Sequence, residues 1–198
     1  MDIKSVVEFL INPSSILVIV LMLLLIGRYV FRLKYINCFD LIKKHILCFK
    51  KLDGNLSIMA IILYFGTPLL MSAGLVQIQI IDNTAINIIT VIISILTSML
   101  FTLLTLILDM REKVKSNARY NASEAAISSK ILKETYYSIM FEILISITIL
   151  ILCFVELFSK TFNTIESFVI YYLTFVMLIN LFMILKRIFK VIDKDLEK

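Results

Sequence analysis

Glycine and proline are scarce in this chain, four and two in 198 residues. That excludes long flexible linkers, low-complexity tracts and disordered or collagen-like architectures, all of which are rich in one or both. A single histidine, His45, leaves little room for histidine-based acid–base chemistry. Three cysteines are too few for the disulfide framework of a small secreted module. There is no Walker-type or glycine-rich phosphate loop, no HExxH, no GxSxG and no CxxC pair. Charge is sparse as well, with Asp, Glu, Lys and Arg making up 18% where a soluble domain carries about a quarter. These absences exclude a soluble enzyme. The segments outside the apolar runs are also too small for a core of their own. The expectation is a non-enzyme that uses no cofactor and no metal.

What the chain does have is apolar surface, with 60% hydrophobic residues and a mean hydropathy of +0.97. Five runs, at about 16–31, 58–81, 85–108, 137–158 and 168–185, are candidates to cross roughly 30 Å of hydrocarbon as helices. The expected fold class is therefore all-α, a polytopic transmembrane helical bundle in one domain over 1–198. It has five spans, or four if the first run lies in the interface. The first run follows Asn12-Pro13-Ser14-Ser15, a plausible helix start. Acidic and basic residues precede it, while Arg28, Arg32 and Lys34 follow its core, which is the reverse of a cleaved signal. An uncleaved anchor is expected.

The formal charge of +5 would suggest nucleic acid in a soluble protein, but its distribution points elsewhere. Eighteen of the twenty Lys and Arg fall in 28–56, 109–136 and 186–198, and only two in the alternate segments. Such bias places the basic segments in the cytoplasm, with the amino end out and the carboxyl end in. For a bacterial protein this is the inner membrane. Direct nucleic-acid binding is not needed to explain the charge.

The basic segments have structure of their own. Tyr35, Phe39, Ile42, Ile46 and Phe49 form one apolar stripe across an amphipathic helix at 35–51, with Lys43, Lys44, Lys50 and Lys51 supplying the charge. The 110–136 connection adds Arg111, Lys113, Lys115 and Arg119, then a capped helix from Asn121 that should run into the next span. These eight residues are the candidate basic face, for anionic lipid or for a cytosolic protein partner. Cys38, His45 and Cys48 share a helix face, but three residues with one histidine do not make a closed zinc site, and the expectation is an apolar helix face carrying small Cys residues and one interfacial His. A 38–48 disulfide is excluded by about 15 Å of helix.

Polar residues inside the apolar runs are the other candidates. Glu142 is the deepest acidic residue of the spans and shares a face with Ser138 and Ser146. Such a residue must face protein or water, or else anchor at the interface. Asn180 lies near the middle of the last run, where an interhelical hydrogen bond is its ordinary role. Ser94, Ser98 and Thr102, with Thr90 and Thr105, form a hydroxyl stripe that is either a packing seam or one wall of a pore. Gly66 and Pro68 should break or kink the second run, as at transporter midplanes or at a simple packing kink.

Two segments, Ser94 to Asp109 and Lys130 to Glu142 with a basic loop between them, together resemble small multi-pass membrane components of bacterial anti-phage defence operons. The membrane subunit of the Kiwa system is one such component. The resemblance covers about a quarter of the chain and carries no diagnostic motif. It implies an oligomeric inner-membrane sensor that docks a cytosolic partner. The leading expectation is thus a non-catalytic sensor or docking component, with the bilayer, copies of itself and a cytosolic protein as partners. An oligomeric pore-forming or membrane-disrupting effector, and a small transporter or channel subunit, are the alternatives.

Overall fold

The computed structural model describes residues 38–50, 57–116, 122–158 and 163–196, together with Ser15, Ile19 and Met22. All of the first apolar run except Ile19 and Met22 lies outside the described residues, as do Tyr35, Lys51, Arg119 and the side chain of Lys115. Within them the protein is all helical: α1 (Phe39–Leu47), α2 (Ile58–Ile78), α3 (Asn83–Ser116), α4 (Ala122–Glu156) and α5 (Thr164–Leu196). The helices α2 to α5 are each long and apolar enough to cross a membrane.

Local chemistry sets several boundaries. Asp82 starts α3, its Oδ1 accepting from the Ala85 amide at 2.7 Å. Asn163 starts α5, its carbonyl accepting from the Ser167 amide at 3.0 Å. The turn between α2 and α3 crosses the start of α5, where the Ile81 amide donates to Ser167 Oγ at 3.2 Å. In α2, Ile62–Gly66 forms one π-helical turn, and α-helix resumes at Thr67 with Pro68 in its first turn. Pro68 has no amide to continue the regular ladder, so the chain widens one turn ahead of it. A Cβ on Gly66 would meet only the Ile62 Cγ2 methyl, at 3.6 Å. Helix α5 packs alongside the break, and Phe65 within it packs against the buried core.

The four long helices follow the order α3, α4, α5, α2, with α1 laid against α4. A seven-residue spacing runs through the contacts. On α3 the fully buried residues are Ile86, Ile93, Leu100 and Ile107, with Val114 continuing the row. On α4 one row is Leu132, Ile139, Ser146 and Cys153, and on α5 it is Ile170, Met177, Ile184 and Val191. Heptad spacing keeps one seam of each helix facing its neighbour, as in a left-handed coiled coil. The second buried row of α4 has a different character: Ser128, Thr135, Glu142, Ile149 and Glu156. Four of those five core positions are polar.

At 34 and 35 residues, α3 and α4 are about 50 Å long, so roughly 20 Å of each projects beyond the hydrocarbon. Helix α4 runs unbroken from Ala122 through the whole apolar stretch. The projecting part of α4, with Lys130 and Lys133, is where α1 docks, at what we call the basic end.

Candidate functional site

The polar row of α4 faces α5, and together the two helices form a polar seam. Ser146 Oγ donates to the Glu142 carbonyl at 2.7 Å and lies 3.6 Å from Met177 Sδ. One turn nearer the basic end, Glu142 faces Asn180. Both are fully buried, and neither carboxylate oxygen nor either amide atom of Asn180 completes a hydrogen bond. The two side chains are neighbours that do not meet in bonding geometry. Among the described residues no cation pairs with Glu142. A buried carboxyl in that position has three options: keep a proton, recruit a donor or a cation, or force the helices to move.

One turn further, Ser138 Oγ donates to the Glu134 carbonyl at 3.1 Å and accepts from Arg187 Nη1 at 3.1 Å. Arg187 Nη2 donates to the carbonyl of Cys48 at 3.2 Å and lies 3.8 Å from Glu134 Oε2. Arg187 thus clasps three elements, capping the carboxyl end of α1 from α5 while bracing both on α4. A cation is the favoured partner for a helix carboxyl terminus.

Inside the clasp lies His45, fully buried. Its ring stacks on Phe141, with centroids 4.0 Å apart and planes 9° apart, while Phe49 and Phe65 approach edge-on at 5.4 and 6.4 Å. Neither ring nitrogen has a hydrogen-bond partner. Burial, aided by the charge of Arg187, lowers the His45 pKa from 6.5 to about 3. Phe141 immediately precedes Glu142, so the caged histidine and the buried carboxyl are joined through one turn of α4.

The docked face of α1 differs from the apolar stripe expected of a helix lying flat in the headgroups. Phe39 is exposed, whereas His45, Cys48 and Phe49 are buried. The Cys38–His45–Cys48 face turns inward because α4 offers it an aromatic ring and a carbonyl, the Cys48 thiol reaching the Glu134 carbonyl at 3.7 Å. Burial pushes the Cys48 thiol up from its ordinary pKa, and the Arg187 guanidinium opposes the shift.

The His45 cage makes α1 docking sensitive to acid. The folded pKa lies below the unfolded one, so the unfolded or undocked state binds more protons below pH 6.5. Docking free energy is therefore complete above 6.5 and is lost as pH falls towards 3. At about 1.4 kcal/mol per pH unit, roughly 3 kcal/mol is gone near pH 4.5. Amide hydrogen exchange of 39–47 against pH should show this loss, and His45→Phe, which keeps the ring in its cage, should remove the histidine contribution.

The remaining sequence candidates are dispersed. Ser94, Ser98 and Thr102 are exposed on the outer face of α3, away from Glu142 and Asn180. Their helix satisfies much of the stripe internally: Ser94 donates to the Thr90 carbonyl at 2.7 Å and Thr102 to the Ser98 carbonyl at 3.2 Å. Lys43, Lys44 and Lys50 are exposed on or beside α1, Lys113 is exposed on α3, and Arg111 is half-buried there. Gly66 ends the π-helical turn of α2 and Pro68 lies in the first regular turn after it, with no second helix break among the described residues. Glu134, Arg187 and the burial of His45 are additions that sequence reasoning did not single out.

Four such helices around a polar seam define a multi-pass membrane protein. Comparison of the chain with protein-family models, curated proteins and solved structures finds no match.

Proposed function

We propose that this chain is a non-catalytic sensor or docking component of the bacterial inner membrane. It works with a cytosolic protein, within the anti-phage defence setting that its two resembling segments imply. The basic end is taken as cytoplasmic, from the distribution of Lys and Arg. The observation that carries the reading is the Arg187 clasp. It holds a nine-residue helix, too short to persist alone, against the same two helices that bury Glu142 and Asn180. A change in the packing of α4 on α5 is thereby transmitted to the exposed lysines of α1. Bistable packing of this kind is how small shifts at one site become large ones at another.

The alternatives have less support. Ser94, Ser98, Thr102 and Thr105 are exposed on the outer face of α3, and Ser94, Thr102 and Thr105 donate to carbonyls of their own helix, which suits a seam between copies better than a water-filled wall. We include self-association through α3 in the proposal. The π-helical turn of α2 exposes Ile62 and Leu63 and has no facing break among the described residues, unlike a transporter midplane site.

Crosslinking followed by capture through a carboxyl-terminal tag tests the reading. A cytosolic protein should be recovered, and Lys43→Glu with Lys50→Glu should reduce its yield about tenfold or more by reversing local charge. Recovery of no cytosolic protein, with or without phage challenge, would sink the proposal.

A further inference from the structure

A cavity of about 360 Å³ opens at the basic end between α1 and α4, lined by Lys44, Leu47, Cys48, Lys130, Lys133, Glu134 and Tyr137. Three ammonium groups border it. Lys44 Nζ lies over the Tyr137 ring, 5.2 Å from its centroid, which holds that charge at the cavity wall. Lys130 and Lys133 are exposed on one face of α4. The only carboxylate in the lining, Glu134, is turned to Arg187 at 3.8 Å, so its charge is largely offset. Among the described residues none of the three lysines has an acidic partner. Like charges three residues apart on a helix repel. The fold therefore gathers positive charge around a cavity and leaves it unneutralised.

The depth of the cavity points to the occupant. Tyr137 lies where the apolar stretch of α4 begins, the level at which tyrosines and lysines mark the membrane interface. Leu47 is exposed on the rim and gives the cavity an apolar edge. A free phosphate would use the lysines but not that edge. An anionic phospholipid uses both, its phosphate among the ammonium groups and its glycerol and upper acyl chain against Leu47 and Tyr137. We infer that this cavity is a binding site for the headgroup of an anionic phospholipid, contributed jointly by α1 and α4.

The full chain, reconstituted in nanodiscs of equal phosphatidylcholine and phosphatidylglycerol, provides the test, with native mass spectrometry reading the lipids it retains. Wild type should retain phosphatidylglycerol preferentially. Each single Lys→Gln change at 44, 130 or 133 should weaken retention about fivefold, and the triple change by on the order of a hundredfold. Lys44→Arg, Lys130→Arg and Lys133→Arg together should keep the preference, which separates lost charge from lost folding. Lys190→Gln, on an exposed residue outside the lining, should have no effect. Wild-type preference in the triple Gln variant would overturn the site. So would displacement of the retained lipid by free glycerol phosphate, which would identify a soluble phosphate as the ligand instead.

Discussion

Arg187→Ala is expected to free α1 from the bundle and raise the labelling rate of Cys48 by about a hundredfold. The guanidinium donates to the Cys48 carbonyl and to Ser138 Oγ, and pairs with Glu134. A hydrogen bond from a charged donor contributes about 1.5–3 kcal/mol, and two are lost together. Helix α1 has no compensating strength of its own, because nine residues are too few to hold a helix in water. Its remaining anchor is the aromatic cage around His45, which still resists opening and sets the estimate at about a hundredfold rather than complete release.

Maleimide labelling in a Cys38→Ser, Cys153→Ser background reads this opening directly. Cys48 is 8% exposed as a residue, and burial pushes its thiol pKa up, so the docked form reacts slowly on both grounds. Arg187→Lys should fall between, since a lysine keeps the charge but cannot donate in two directions from one planar group. Unchanged labelling in Arg187→Ala would mean that the cage alone holds α1, and the clasp could not then transmit a signal.

The legible and illegible parts of this protein divide along one physical line. In a soluble protein apolar periodicity marks the core, but here lipid-facing residues are apolar too. The row Ile86, Ile93, Leu100, Ile107 is therefore hidden among exposed Ile88, Val91, Ile92 and Ile95, and only the packed structure separates them. Polar residues carry the readable signal instead. Glu142 and Asn180 were each conspicuous against an apolar background, and both are fully buried. That they face each other depends on the register of α4 against α5, which is set by the hidden heptads. The hydroxyl stripe of α3 was legible as a stripe, but not which side it faced. Arg187 reads as one more cation following a span, and His45 as an interfacial residue on an apolar helix face. Their roles rest on α1 folding back over α4, a tertiary contact with no local pattern.

Replacing Glu142 and Asn180 together by Leu is expected to stabilise the protein by about 1–4 kcal/mol, because two buried polar groups without completed hydrogen bonds give way to apolar packing. Each single change should supply part of that gain, because neither group completes a hydrogen bond that its removal would break. Thermal unfolding in lipid nanodiscs supplies all four corners of the cycle, and near-additivity is the expected signature of two polar groups that do not meet in bonding geometry. Two roles for the pair then separate. A polar residue at a heptad position can specify register at the expense of stability, in which case the double variant should be more stable but heterogeneous in oligomeric state. A poised element should instead give a homogeneous double variant that is locked in one state, with Cys48 protected under every condition and partner capture no longer responsive to phage challenge. A double variant less stable than wild type would contradict both, because it would show that the seam as built stabilises the fold. The sensor reading requires the second outcome, since a protein that keeps two unsatisfied polar groups fully buried between its central helices retains a reason for those helices to move.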